Sequence, residues 1–209
     1  MNEKAKDILE WVFCIVVALL LALIFRYFIG TPTVVKQRSM FPTLKENQRL
    51  ILNRTMRITG SEPQRGDVIT FEAPSSFYTK YDINQSNPIA KYEYQFDNSF
   101  EKFIYYVIEF TKKSYIKRVI GIAGDHIEIK ENKVFLNGEE LEEEYLNDDV
   151  VTESQVLNDF IVPEGYVFVM GDNRTKSKDS RELGCIPLEK VEGKIEFRFW
   201  PLNVLGKIK

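Results

Sequence analysis

Trp11–Phe25 is an unbroken apolar run, and it restricts what the chain can become more than any other stretch. As a helix rising about 1.5 Å per residue it reaches about 22 Å, short of a hydrocarbon core about 30 Å thick. Adding Ile8–Leu9 and Tyr27–Ile29 makes it long enough, with Arg26 reaching back to the interface. A cleaved secretory leader would show small residues soon after the run, and Arg-Tyr-Phe-Ile-Gly offers none in the required pattern. A buried core helix would carry a polar face, and the run lacks one. The expectation is therefore a membrane anchor over 11–29, single-pass in the cell membrane, after a cytoplasmic tail over 1–10. Lys4 and Lys6 favour a cytoplasmic N-terminus, which puts the rest of the chain outside the cytoplasm.

The remainder of the 209 residues is enough for one or two domains. A formal net charge of −3 gives nucleic-acid binding no electrostatic support. Cys14 lies inside the apolar run and Cys185 far from it, so no disulfide scaffold is expected. With one histidine, His126, a metal site of the usual His/Cys kind is not expected, and any Ser-His-Asp triad has to use that residue.

Residues 34–74 read as β structure. Val68–Glu72 alternates as a half-buried strand should, and Arg65-Gly66-Asp67 reads as the turn feeding it rather than as an adhesion motif. Residues 75–114 interrupt this pattern. Tyr78–Tyr94 looks irregular, and Asn98–Lys113 carries Phe100, Phe103, Ile104, Val107 and Ile108 at spacings of three and four, which predicts an amphipathic helix. That helix either packs on the β domain or lies on the membrane surface. Tyr115–Gly121 returns to strand, with Tyr115, Lys117 and Val119 on one face and Arg118 on the other. Asn137-Gly138 is a hairpin signal, the acidic stretch Glu139–Glu144 with Asp148–Asp149 reads as a solvated loop, and Tyr166–Met170 reads as a strand. A dense polar loop, Gly171–Arg181, follows; it either binds something or braces the fold. The overall expectation is a mostly β protein on a single N-terminal transmembrane helix.

Two residues carry candidate chemistry. Ser39 sits in Lys36–Leu44, where Pro42 stiffens the chain, so the serine is expected on a rigid segment at a sheet edge near the membrane. A serine nucleophile needs a base. Lys117, flanked on its face by Tyr115 and Val119, would be desolvated if that face is buried; lowering a lysine from ~10.4 to ~8 costs on the order of 3 kcal/mol, which a packed β domain can supply. A neutral lysine can accept a serine proton. The plainer readings are a loop serine and an edge-strand lysine pointing into water.

Three stretches taken together resemble the type I signal peptidase family: Ser39-Met40-Phe41-Pro42-Thr43-Leu44, Lys117-Arg118-Val119-Ile120-Gly121 with Gly124-Asp125, and Gly171-Asp172-Asn173 through Ser177, Asp179, Ser180 and Arg181. Arg65-Gly66-Asp67-Val68 is a fourth, weaker match. The single anchor looks like the Gram-positive form. The resemblance implies Ser39 as nucleophile, Lys117 as general base, Ser177 as a hydroxyl orienting the lysine, and Asp179 with Arg181 as a brace; Asp172 joins the supporting set. It also implies a catalytic β core over 34–74, 115–121 and 171–200, with 122–170 as a smaller β subdomain and 75–114 as an inserted segment. No cofactor is implied. The partners implied are secretory precursors carrying signal peptides, the lipid bilayer and a secretion translocase. The chain departs from the family at Gln37, where a small residue usually helps form the oxyanion hole beside Ser39, and in the length of the insertion.

The implied activity is cleavage of signal peptides by a Ser-Lys dyad, the substrate binding extended against a sheet edge, with Met40 and Phe41 dipping into the membrane interface. The rivals are a Ser-His-Asp hydrolase using His126, a cytoplasmic Ser-Lys self-cleaving repressor, and a catalytically impaired paralogue acting as a membrane-anchored peptide-binding module.

Overall fold

The computed structural model describes residues 3–74, 83–93, 96–109, 112–147 and 150–208. The first element is a long helix, α1 (Glu3–Phe28). It starts well before the expected anchor because Glu3–Glu10 is rich in good helix formers, and extending an existing helix fixes one residue per bond gained. Its Lys6–Phe28 portion is long and apolar enough to cross a membrane, and none of the apolar stretch is buried inside the protein. Trp11, Phe13, Leu19 and Leu21 all stand exposed, which excludes a core helix.

The chain then enters a large antiparallel sheet of eight strands. β1 (Gly30–Val34) pairs with β2 (Arg49–Asn53), β2 with β11 (Val191–Trp200), β11 with β3 (Val68–Glu72), and β3 with β4 (Ser114–Gly121). β4 pairs with β9 (Tyr166–Met170), β9 with β10 (Ile186–Pro187), and β12 (Gly206–Lys207) adds to β11. The strand β1 begins at Gly30 because a Cβ there would lie 2.7 Å from the Leu52 carbonyl oxygen, closer than packing allows. Register shifts in β11 and β4 increase the local twist and curl the sheet.

A second sheet of four strands is ordered β7 (Glu139–Glu140), β6 (Lys133–Leu136), β5 (His126–Lys130) and β8 (Asp159–Ile161). Asn137 and Gly138 both have positive φ, as a two-residue hairpin turn requires. Glu131 and Asn132 make a second such turn between β5 and β6. Ile120 and Phe168 of the large sheet pack with Ile127, Val134, Leu157 and Phe160, joining the two sheets through one core. A second cluster gathers Val35, Met40, Leu44, Leu50, Leu52, Val68 and Ile195 under the Ser39 segment. The protein is mostly β, as expected. Tyr166–Met170, grouped from the sequence with the smaller unit 122–170, lies in the large sheet, because its ladder partner is β4.

The expected helix over Asn98–Lys113 is shorter and of two kinds. Asn98 caps α2 (Ser99–Phe103) by accepting the Glu101 N–H at 2.8 Å. One π-helical turn, Ile104–Ile108, follows and stops at Glu109, whose φ is +56°. Phe110 and Thr111 lie outside the described residues, as do 75–82, 94–95 and Asp148–Asp149. The described part of the insertion packs on the β structure: Ala90 donates to the Cys185 carbonyl, the Tyr92 hydroxyl to the Glu72 carbonyl, and the Tyr105 hydroxyl to the Glu72 carboxylate.

Candidate active site

Lys117 lies mid-way along β4, on the face that alternation shares with Tyr115 and Val119. Its side chain is buried, 1% exposed, and Nζ lies 2.7 Å from Ser39 Oγ and 3.1 Å from the Ile116 carbonyl. Burial pushes the amine down to about 8; Asp179 and Asp172 pull it back up in part, and Arg181 lowers it further. The plainer reading of a solvated edge lysine is excluded by the burial.

Ser39 is not on a strand. It sits on the turn that joins β1 to β2, closed by the Leu44 N–H on the Met40 carbonyl at 2.7 Å. The turn is buried because Met40, expected to dip toward the membrane, is instead a core residue, 1% exposed; Phe41 is the exposed one of the pair. Asn173 holds the turn from outside: its N–H donates to the Ser39 carbonyl at 3.0 Å and its side-chain amide to the Arg38 carbonyl at 3.1 Å. Gly171 lies directly against the same carbonyl, where a Cβ would overlap both the Ser39 oxygen and Ser177 Oγ.

The polar loop 171–181 is a brace. Arg181 grips Asp179 with two bonds of 2.9 Å, and Asp179 in turn accepts the Gly171 N–H at 2.9 Å. Asp172 is gripped by Arg118 at 2.9 and 2.8 Å, and Arg118 also donates to the Gly66 carbonyl. Arg118 neighbours Lys117 on the opposite face of β4, so this pair ties the lysine's strand to the loop under Ser39. Arg174 donates to Thr152 and pairs with Glu143, so the acidic stretch is not wholly solvated. Ser177 departs from expectation: its Oγ is buried and has no hydrogen-bond partner among the described residues, so it does not reach Lys117.

Gln37 is exposed and lines the cleft beside Ser39. This cleft, about 580 Å³, has residues 31–37 on one wall and Ser114, Tyr115 and Ile116 on the other. Both walls present open strand edges: among the described residues β1 pairs only with β2, and β9 pairs with β4 only from Arg118 onward. His126 stands on β5 in the second sheet, its ring 2.7 Å from Asp159. Arg65 and Asp125 pair across the base of the fold, so Arg65-Gly66-Asp67 and Gly124-Asp125 are structural turns.

The chain matches the family described as signal peptidase, peptidase S26, over residues 8–200. The chain belongs to the signal peptidase family. It is 35% identical over 215 residues to signal peptidase I P of Bacillus subtilis subsp. natto, covering 99% of this chain and 96% of that protein. It is 32% identical over 213 residues to signal peptidase IB of Staphylococcus aureus (strain COL), covering 95% and 92%. A solved signal peptidase I from Enterococcus faecalis V583 is 25% identical, spanning 64% of this chain and 97% of its own, with a TM-score of 0.40. Membership of the signal peptidase family makes the protein a peptidase. The sequence missed Asn173 as a holder of the Ser39 turn, although it lies within the Gly171-Asp172-Asn173 motif.

Proposed function

We propose that this chain is a membrane-anchored serine endopeptidase that removes signal peptides from secretory precursors, with Ser39 as nucleophile and Lys117 as general base. The observation that carries the reading is the 2.7 Å approach to the Ser39 hydroxyl of a buried amine whose pKa burial lowers to about 8. The neutral amine takes the hydroxyl proton as Oγ bonds to the scissile carbonyl carbon, whose π electrons move onto oxygen. The Ser39 N–H, which has no internal acceptor among the described residues, donates to that oxyanion, and the Gln37 side chain is close enough to the cleft to assist. The intermediate collapses, the C–N bond breaks, and the leaving amine takes the proton from Lys117. Water, deprotonated by the same lysine, then attacks the acyl ester; the C–Oγ bond breaks and Lys117 returns the proton to Ser39 Oγ.

Asp179, Arg181, Asp172 and Asn173 hold the turn and strand that bring the two groups together. The open edges of β1 and of β4 before Arg118 suit an extended substrate laid between them. With α1 in the bilayer, its N-terminus on the cytoplasmic side and the β structure outside the cytoplasm, the cleft opens where a precursor's apolar segment ends. A secretion translocase would deliver such precursors. The β core over 34–74, 115–121 and 171–200 then holds the chemistry, and 122–165 supports it.

The test is cleavage of a precursor peptide by the purified full-length protein beside Ser39→Ala, Lys117→Met and His126→Ala. The first two lose cleavage and the third keeps it. Cleavage that survives Lys117→Met ends the dyad reading.

A further inference from the structure

The anchor meets the β structure with no slack. Only Ile29 stands between the end of α1 at Phe28 and the start of β1 at Gly30. Its N–H donates to the Phe25 carbonyl at 2.8 Å, and its carbonyl accepts the N–H of Arg54, the residue after β2, at 2.9 Å. Arg57 closes the corner: its guanidinium donates to the Tyr27 carbonyl at 2.9 Å and lies 4.5 Å from the Tyr27 ring centre.

Glu109, from the inserted segment, gathers three arginines at this corner. Arg54 grips its carboxylate at 3.0 and 2.7 Å; Arg26, from the last turn of α1, lies at 3.5 Å and Arg57 at 3.7 Å. The Glu109 side chain is buried. Burial alone would raise its carboxyl, but the Arg54 bonds and the charges of Arg54, Lys112 and Arg57 hold it below the usual carboxylate range. Its backbone has a φ of +56° at the end of the π-helical turn, where glycine or asparagine would sit with less strain. The strained position thus keeps a carboxylate among the arginines. Without it, three like charges would face one another across the joint. The insertion is also fixed to β3, through the Tyr105 hydroxyl on the Glu72 carboxylate.

We propose that Glu109 is a positioning residue: it locks α1 to the β core at one angle, so that Ser39 and Lys117 stand at one height above the bilayer and the precursor bond at that height is the one cut. This inference rests on the membrane-anchored endopeptidase reading above. A precursor held in the same bilayer by its apolar segment presents several bonds at different heights. A swivelling joint would let the cleft reach many of them. Sharing a membrane raises the local concentration of substrate, and a rigid joint adds a choice among its bonds.

The experiment uses the full-length protein in vesicles of phosphatidylcholine and phosphatidylglycerol. One substrate is a precursor whose apolar segment spans the bilayer and which carries two identical cleavable sequences, their bonds about 20 Å apart along an extended strand. The other is a soluble peptide with the same two sequences and no apolar segment. The wild type cuts the peptide at both bonds and favours one bond of the precursor by about tenfold or more. In Glu109→Gln, and in a variant with Gly-Ser-Gly-Ser inserted after Ile29, the peptide is still cut and the preference in the precursor falls toward that in the peptide. The preference is a ratio within one preparation, so a loss of folded protein lowers both cuts together and leaves it unmoved. Should Glu109→Gln fail to fold, Arg26→Gln, which leaves the buried Arg54–Glu109 pair in place, repeats the test. A precursor cut without preference by the wild type, or a preference that either variant keeps, overturns the lock, while cleavage of the soluble peptide upholds the endopeptidase. No cleavage of either substrate by the wild type overturns both.

Discussion

Lys112 and Lys117 stand five residues apart, line or adjoin the same cleft, and are both buried, yet they are placed for opposite work. The Lys112 side chain, 6% exposed, meets Glu192 at 2.8 Å and Glu72 at 3.5 Å. Lys117, 1% exposed, finds only a hydroxyl and a carbonyl as hydrogen-bond partners among the described residues. The carboxylates nearest to it in effect, Asp179 and Asp172, are each already gripped by an arginine. Burial with a carboxylate in contact makes a lysine a brace; burial without one lowers its pKa, which suits Lys117 to the role of base proposed above. The fold supplies the difference by turning Arg118 and Arg181 onto the acids that would otherwise hold Lys117 charged.

The largest effect expected is from Lys117→Met, which should lower kcat by about 10³-fold, in the range for loss of a general base. The same change should raise stability at neutral pH. With a folded-state pKa of about 8 against 10.5 unfolded, Lys117 is charged in both states below pH 8, and the folded state bears the burial cost. Between pH 8 and 10.5 only the unfolded state holds the proton, so wild-type stability rises with pH. The stabilisation from methionine should reach on the order of 3 kcal/mol at pH 6.5 and fade by pH 10.5, read by urea unfolding. For the wild type, kcat/KM should climb with pH through about 8.

Lys112→Met should do the reverse to stability. It leaves Glu192 and Glu72 buried with less positive charge, and breaking a buried pair from one side costs about 3–5 kcal/mol. Lys190, 3.5 Å from Glu72, softens the loss. A urea midpoint that rises in this variant would break the contrast between the two lysines.

Converting one lysine toward the other sharpens it further. The Tyr115 ring centroid lies 5.5 Å from Lys117 Nζ. Tyr115→Glu places a carboxylate there, which should raise the amine by about one to two pK units and move the pH–rate midpoint upward by the same amount. At pH 7 the rate should fall about tenfold or more, and alkaline pH should restore it. A midpoint that stays near 8 would mean that the lysine does not set the pH dependence.

The two lysines also show what could be read from the sequence. The face of Lys117 follows from alternation along β4, which is local. The place of Ser39 does not, because its turn is held by Asn173 and Gly171, which lie far along the chain. The spacing of Phe100, Phe103, Ile104 and Ile108 announces helical structure, but its end at Glu109 is set by Arg26, Arg54 and Arg57, all from earlier segments. Asn137-Gly138 is legible as a hairpin because both residues tolerate positive φ; Glu131-Asn132 is not, since glutamate seldom adopts it. Tyr166–Met170 is plainly a strand, yet an apolar run cannot reveal which sheet it joins.

The smallest effect expected is from Asn173→Ala, which separates holding Ser39, the proposed nucleophile, from activating it. The variant loses the side-chain bond to the Arg38 carbonyl but keeps the backbone bond to Ser39. Stability should fall by about 1 kcal/mol, the usual net worth of one such bond. Because Ser39 gains freedom to drift from the attack geometry, kcat should drop about fivefold to tenfold while KM holds. The pH–rate midpoint should stay near 8, since the amide does not contact Lys117 and the burial that lowers the amine is untouched. A shift in that midpoint would show that Asn173 acts on the base, and that the turn and the lysine are a single unit rather than two parts brought together.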